Sequence, residues 1–85
     1  MAEVIVYTTK VCPYCVRAKQ LLKGKGVEFS EVDISSDPEL RMQVMEKSGG
    51  RRTVPQIFIN DAPIGGYDDM AALDKSGELD KLLAG

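Results

Sequence analysis

The spacing of apolar residues along the chain predicts four short strands and three helical regions. Apolar runs rich in β-branched residues and bounded by turn residues are typical of strands. Such runs, one of them only imperfectly alternating, occupy residues 4–7, 29–34, 56–59 and 62–64. Apolar residues that recur every three or four positions are typical of amphipathic helices, and they follow Pro13, Pro38 and Gly66. The predicted element order is therefore βαβ–α–ββ–α.

Turn residues divide these elements and favour one architecture. Glycines end the first two helices, Asn60-Asp61 forms a tight turn between the last two strands, and Gly77 breaks the last helical region. Pro63 restricts the last strand to a sheet edge. Because a βαβ unit is parallel and right-handed in nearly all cases, we predict an α/β fold with a four-stranded mixed sheet and helices on both faces. The length predicts one domain over residues 1–85.

Composition and charge exclude several classes of partner. The chain has 85 residues, and its 11 basic and 13 acidic residues give a net charge of −2. Nucleic acid is not an expected partner, because phosphate binding requires a basic surface. No apolar run is long enough to span a membrane, and the N-terminus lacks the pattern of a signal peptide. We therefore expect a soluble, cytoplasmic monomer.

The two cysteines, Cys12 and Cys15, carry the candidate chemistry. In a cytosolic protein, C-x-x-C indicates redox or metal chemistry, and a structural zinc site needs four ligands, whereas this chain has no His and no other Cys. Pro13 suits the first position of a helix, which places Cys12 at its N-cap. The free N–H groups there, with Lys10 nearby, favour a Cys12 thiolate. Cys15 points back beneath it.

Three segments of this sequence resemble one family. They are C-P-Y-C at residues 12–15, T-V-P-Q-I-F-I at residues 53–59 and G-G-Y-D-D at residues 65–69. With the element order, they resemble the thioredoxin fold and, within it, small bacterial dithiol glutaredoxins over almost the whole chain. The resemblance implies a glutathione-dependent thiol–disulfide oxidoreductase. Such an enzyme reduces protein disulfides and glutathione mixed disulfides, uses glutathione as co-substrate, and has no tightly bound cofactor or metal.

The resemblance also implies a role for each part of the first two segments. Cys12 attacks the substrate disulfide, and Cys15 resolves protein disulfides or stands aside while glutathione does so. The Val54–Pro55 bond is expected to be cis, which exposes the Val54 backbone to the cysteinyl residue of glutathione. Of the two residues that flank this edge, Thr53 and Gln56, Gln56 is expected to reach the glycyl carboxylate.

The remaining binding residues have both a functional and an ordinary interpretation. Lys10 is expected to meet a carboxylate of glutathione rather than to be an ordinary surface lysine, and Tyr14 to flank the tripeptide rather than merely to pack. Gly66, Tyr67 and Asp68 form a helix start that suits the γ-glutamyl carboxylate and ammonium, with Asp69 as the helix cap. Tyr67 stands where small residues or Cys are frequent in the family. Arg51 and Arg52 are interpreted as surface residues, with a contact to the glycyl end of glutathione as the alternative.

Two other functions remain open at this point. Two protomers with two Cys12 thiolates and two glutathiones would supply the four thiolates of a [2Fe–2S] cluster, although the rigid Pro13 is not typical of cluster-binding relatives. Alternatively, thioredoxin reductase rather than glutathione reduces the protein. The expected acceptors are disulfide-bonded or glutathionylated proteins, with ribonucleotide reductase as one candidate.

Overall fold

The computed structural model describes residues 2–84 as a mixed sheet with helices on both of its faces. Strands and helices follow one another as β1 (Val4–Thr8), α1 (Pro13–Gly24), β2 (Ser30–Asp33), α2 (Pro38–Lys47), β3 (Gln56–Ile59), β4 (Ala62–Gly65), α3 (Tyr67–Ser76) and α4 (Glu78–Ala84). The strand order in the sheet is β2-β1-β3-β4. β1 pairs with β2 in parallel, and the other two pairs are antiparallel. The predicted α/β architecture is confirmed.

The core lies between one face of the sheet and three helices. Side chains alternate across a strand, and the β1–β3 register pairs Val4 with Ile59 and Val6 with Ile57. These four residues therefore share a face. They are buried together with side chains from α1, α3 and α4, which are Ala18, Leu22, Met70 and Leu79. Each large apolar side chain that is fully buried stabilises the fold by roughly 1.5–3 kcal/mol.

Three strands have bounds that differ from the sequence-based prediction. β2 is shorter than the predicted 29–34 and mostly exposed, because it is an edge strand and only its flank at Ile34 is deeply buried. β1 and β4 each extend one residue further than predicted. Gly77 breaks the last helical region as predicted, with a positive φ of 85° between α3 and α4. One domain over residues 1–85 stays a prediction, and Met1 and Gly85 lie outside the described residues.

The β1–β3 pairing decides where the cysteine segment lies. The two strands are antiparallel and Tyr7 pairs with Gln56, so the end of β1 meets the start of β3 at one edge of the sheet. The chain that leaves β1 leads to Cys12, and the chain that enters β3 arrives from Pro55. These two segments are therefore neighbours in space although they are 43 positions apart in numbering. Between residues 2 and 84, none of the helices combines the length and the apolar character needed to cross a bilayer.

Candidate active site

The two cysteines lie at the start of α1, as predicted. Cys12 is the N-cap residue, Pro13 is in the first turn, and the Cys15 N–H donates a hydrogen bond to Cys12 Sγ at 3.1 Å. The two side chains form a disulfide with their Cα atoms 5.2 Å apart. Cys15 is only 2% exposed, whereas Cys12 is partly exposed. An incoming thiolate or disulfide therefore reaches Cys12 first, and Cys15 lies behind it.

The loop before β3 faces the cysteines. The Val54–Pro55 peptide bond is cis, which confirms the prediction. The carbonyl oxygen of Val54 lies 3.8 Å from Cys12 Sγ. The Pro55 side chain is fully buried, so it anchors the loop beneath this contact. The backbone of Val54 consequently borders the sulfur that an incoming substrate would reach.

A surface groove of about 310 Å³ borders this loop and brings most of the predicted binding residues together. It is lined by Tyr14, Arg51, Thr53, Val54, Pro55, Gly66, Tyr67, Asp68 and Asp69. We call it the active-site groove. A larger open cavity of about 610 Å³ lies around Val27 and Leu83. Its lining contains no cysteine, so it offers no thiol chemistry.

The N-terminus of α3 forms one wall of the groove. The first intrahelical bond runs from the Met70 N–H to the Gly66 carbonyl at 3.1 Å, so the N–H groups of Tyr67 and Asp68 precede the hydrogen-bonded part of the helix. The Gly66 N–H instead donates to Asp69 Oδ2 at 2.9 Å. The capping role of Asp69 is thereby confirmed. Gly66 supplies no free donor, because its N–H group is already bonded.

Arg51, which the sequence analysis interpreted as a surface residue, forms an ion pair in this wall. Its Nη1 lies 2.7 Å from Asp69 Oδ2, so it ties the loop before Pro55 to the start of α3. The hydrogen bond from the Gly66 N–H and then the Arg51 guanidinium hold the pKa of Asp69 below its usual value. No sequence rule pairs a loop arginine with an acid 18 positions later. The acid at the third position of a helix start is the one signal that the sequence offers.

Gln56 is a buried residue at the start of β3. Its side chain is 1% exposed, and Nε2 donates to Thr53 O at 2.8 Å and to Thr53 Oγ1 at 3.2 Å. Its Oε1 is buried and has no hydrogen-bond partner among the described residues. β3 is a central strand whose residues are all buried, so the Gln56 side chain points into the protein. In this structure the Gln56 amide holds Thr53, and its reach to a ligand's glycyl carboxylate stays a prediction.

Lys10 also lies outside the lining of the groove. It is exposed, and its backbone N–H donates to Ser35 Oγ at 2.8 Å. The pKa of Asp33 is lowered, chiefly by hydrogen bonds from Ser35 and to a smaller extent by the Lys10 charge. That charge therefore acts on the loop after β2, and the structure gives no contact between Lys10 and the groove.

Two tyrosines form the aromatic part of the groove. The rings of Tyr14 and Tyr67 lie 6.3 Å apart between centroids and are inclined by 34°. The Arg17 guanidinium lies 5.3 Å from the Tyr14 ring centroid, within the range of a cation–π contact. The side chain of Tyr67 thus adds to an aromatic wall that Tyr14 begins. Among residues 2–84, no three side chains of the His, Cys, Asp or Glu types form a cluster suited to a metal ion.

Known proteins are similar to this chain in sequence and in fold. A family model for glutaredoxin matches residues 4–64, which include both cysteines and the cis-proline loop. The chain belongs to the glutaredoxin family. This glutaredoxin is 53% identical over 83 residues to glutaredoxin 3 of Escherichia coli, and the match covers 98% of this chain and 99% of that protein.

Solved structures extend the similarity to the whole fold. The solution structure of glutaredoxin from Brucella melitensis has a TM-score of 0.86 and 55% identity, covering 98% of this chain and 89% of the other. A crystal structure of a buckwheat glutaredoxin–glutathione complex has a TM-score of 0.88 and 26% identity, and the match covers 98% of this chain and 77% of the buckwheat chain. With its Cys12–Cys15 pair, this glutaredoxin is a thiol–disulfide oxidoreductase of the thioredoxin-like fold.

The close approach at Gly65 generates the first prediction. A Cβ at Gly65 would lie 2.5 Å from Arg51 Nη1 and from Asp69 Oδ2, and its φ is +113°. We expect Gly65→Ala to lower the free energy of unfolding by about 1–3 kcal/mol, through backbone strain and displacement of the ion pair. Gly66→Ala is the matched control, since its Cβ would meet nothing nearer than Pro55 O at 3.5 Å. Urea denaturation measures both, and equal losses would contradict the argument.

The lowered pKa of Asp69 generates the second prediction, which concerns how stability depends on pH. A carboxyl whose pKa falls on folding contributes stability above its unfolded pKa of about 3.9 and loses it as the pH falls through the folded pKa. We expect wild type to exceed Asp69→Asn in unfolding free energy at pH about 7, by less than about 1 kcal/mol because this pair is largely exposed. The difference should shrink as the pH falls toward about 3.

Denaturation at both pH values provides the measurement. Asp68→Asn makes the same charge change in the same helical turn and leaves the Arg51–Asp69 ion pair intact, so it is the control. A difference between wild type and Asp69→Asn that is equally large at both pH values would show that the ionised carboxylate does not contribute as argued.

Proposed function

We propose that this glutaredoxin uses glutathione to reduce glutathionylated proteins and protein disulfides. The observation that carries the proposal is the continuity of the active-site groove. It borders the Cys12 sulfur through Val54, and it extends to the open N–H groups at the start of α3. A tripeptide thiol needs such a path, because its sulfur must meet Cys12 while its charged γ-glutamyl end meets a complementary site.

The groove offers a partner for each part of glutathione. Its cysteinyl residue lies along the Val54 backbone as an added strand would. The γ-glutamyl carboxylate accepts from the N–H groups of Tyr67 and Asp68 at the positive end of α3. The Asp68 carboxylate is exposed and has no ion-pair partner within residues 2–84, so it is available to the α-ammonium.

For the glycyl end, the sequence offered Gln56 first and the Arg51-Arg52 pair as the alternative, and we choose Arg51. Because Gln56 is buried, the cation nearest to this end of the groove is Arg51, which lines it beside Thr53. Only one Arg51 nitrogen is assigned to Asp69, and a guanidinium has five N–H donors. Arg51 therefore retains donors for the glycyl carboxylate. The buckwheat glutaredoxin was crystallised with glutathione, which supports the choice of ligand.

The reaction follows ordinary thiol–disulfide exchange. The Cys12 thiolate attacks the glutathione sulfur of a glutathionylated protein, and the protein thiol leaves with a proton from solvent. A second glutathione thiolate then attacks the Cys12 mixed disulfide, which releases oxidised glutathione and restores the Cys12 thiolate. With a protein disulfide, Cys12 attacks one substrate sulfur and the other substrate sulfur leaves as a thiol. Cys15 then attacks Cys12 Sγ of the mixed disulfide, which releases the second substrate thiol and forms the Cys12–Cys15 disulfide. Two glutathione thiols reduce this disulfide again and leave as oxidised glutathione.

The setting of this activity is part of the same proposal. We place the protein in the cytoplasm as a monomer, with disulfide-bonded or glutathionylated proteins as substrates and ribonucleotide reductase as one candidate acceptor. Membership of the glutaredoxin family supports these assignments. Reduction by thioredoxin reductase is the rival, and the second experiment below distinguishes it.

The different exposure of the two sulfurs generates a prediction about division of labour. Cys12→Ser should abolish activity on every disulfide, because the attacking sulfur is lost. Cys15→Ser should keep turnover of a glutathionylated peptide while losing efficient direct reduction of protein disulfides, because glutathione can replace the buried sulfur only in the first reaction. Steady-state turnover of both substrates is the measurement. Equal loss from the two substitutions on the glutathionylated peptide would refute the assignment.

The position of Asp68 generates a prediction about the reductant. A hydrogen bond between charged groups contributes roughly 1.5–3 kcal/mol, so Asp68→Ala should weaken glutathione use by about tenfold. Because Asp68 is exposed to solvent, which weakens interactions between charges, the effect could be as small as severalfold. Stability should hardly change, because Asp69 still caps the helix. Turnover of a glutathionylated peptide at varied glutathione concentrations measures the effect.

The control for this experiment is Glu46→Ala, which removes an exposed acid from α2. Both proteins are also assayed with thioredoxin reductase as the electron donor. If Asp68→Ala uses glutathione as well as Glu46→Ala does, Asp68 is only an acid at a helix start. If thioredoxin reductase drives wild type better than glutathione does, the proposed reductant is wrong.

A further inference from the structure

Exposed apolar side chains are concentrated around Cys12. Four large apolar residues of the described chain are exposed, and three of them are Val11 at 91%, Tyr14 at 50% and Val16 at 48%. The fourth, Met42, lies in α2. Single exposed apolar residues are ordinary on a protein surface. Three within six consecutive positions around the reactive sulfur form a patch, and such patches mark interaction sites.

A purely structural explanation of Val11 and Val16 does not hold. Val11 directly precedes the N-cap Cys12, and Val16 is the fourth residue of α1. Apolar residues at these two positions often pack against each other as a hydrophobic staple that fixes the entry of the chain into a helix. A stapled Val11 would be largely covered. At 91% exposure its side chain contacts almost nothing, so it contributes little to folding.

Glutathione does not explain these residues either. The active-site groove contains Tyr14, but neither Val11 nor Val16 lines it. The two valines flank Cys12 outside the groove, and we call this pair the apolar rim. The Val16 N–H donates to the Cys12 carbonyl at 3.2 Å, so Val16 lies one helical turn beyond Cys12 on the same face.

The geometry of a mixed disulfide brings a protein substrate to this rim. The Cα atoms of two disulfide-bonded cysteines lie about 5.5–6 Å apart, and the next substrate residue lies about 3.8 Å further along its chain. A residue beside the substrate's cysteine is therefore forced close to the neighbours of Cys12. Glutathione bound in the groove would lie along Val54, and neither valine lines that groove.

We propose that the apolar rim recognises the protein part of the substrate and favours an apolar residue directly beside the reacting cysteine. The partner is an extended segment of a disulfide-bonded protein with Leu, Ile or Val at that position. Two valines cover little area, which suits the brief encounters of an electron-transfer partner. The proposal rests on the thiol–disulfide activity and does not depend on the proposed use of glutathione.

The test measures single-turnover reduction of symmetric disulfides without glutathione. Each substrate is a pair of identical short peptides joined by one disulfide, with either Leu or Ser on both sides of the cysteine, so that both sulfurs are equivalent. The pre-reduced protein loses two electrons and two protons as its Cys12–Cys15 disulfide forms, and two peptide thiols are released. Each rate is divided by the same variant's rate on bis(2-hydroxyethyl) disulfide, which removes any change in the reactivity of the sulfur.

The expected result is a loss of selectivity. Burying part of one valine side chain against Leu should make wild type about fivefold faster on the Leu peptide than on the Ser peptide. Val11→Thr keeps the shape of the side chain and removes its apolar character, so the ratio should fall to about twofold or less. Val16→Thr should lower the ratio in the same direction. Met42→Thr makes a comparable change on α2 and should keep the wild-type ratio.

Three outcomes would overturn the proposal. The first is a wild-type ratio near one, and the second is an unchanged ratio in both Val11→Thr and Val16→Thr. The third is a wild-type dimer that Val11→Thr converts to monomer in light scattering, which would make the rim a contact between copies of this chain. Circular dichroism of each variant confirms that it is folded.

Discussion

The antiparallel pairing of β1 with β3 is the constraint on which the site depends. It sets the end of β1, and therefore Cys12, beside the loop that enters β3 at Pro55. A slip of one residue in this register would turn the inward-facing pair of one strand, either Val4 and Val6 or Ile57 and Ile59, away from the helices and disrupt the core. The burial that stabilises the fold therefore also fixes the 3.8 Å approach of the Val54 carbonyl to Cys12 Sγ. The same strand register therefore determines both the packing of the core and the geometry of the active site.

A second link closes the groove on its far side. The Arg51–Asp69 ion pair joins the cis-proline loop to the start of α3, and Gly65 leaves room for it because a Cβ there would meet both partners. An exposed ion pair contributes little stability, so the main effect of this one is to hold the loop and the start of α3 in position. It occupies the Asp69 carboxylate, which leaves Asp68 as the free acid of that turn. Two adjacent aspartates thus differ in their surroundings, because among residues 2–84 only Asp69 has structural partners.

The sequence predicts those features whose causes lie within a few residues. Cys12 and Pro13 predict the start of a helix, and Gly77 predicts a break in one. Asn60-Asp61 predicts the hairpin turn, in which both residues have a positive φ. Features with distant causes are not predictable in this way. The sequence does not reveal that the central position of β3 buries Gln56. It does not reveal either that the fold brings Asp69 to Arg51, whose side chain is still 44% exposed. The cis bond at Pro55 was expected only through the family resemblance, because few X–Pro bonds are cis.

The location of Cys12 at an N-cap explains how one sulfur can serve two kinds of partner. An N-cap residue lies where the chain turns from a loop into a helix, so residues of both the loop and the helix flank its side chain. The Val54 carbonyl borders Cys12 Sγ, and the groove that contains Val54 extends to the N-terminus of α3, which would suit a small charged thiol that needs many polar contacts. Val11 and Val16 lie outside that groove and would suit a partner that offers apolar side chains and no fixed polar pattern. On these two proposals a protein disulfide and a tripeptide would reach the same atom along different surfaces, and a substitution on one surface need not affect the other.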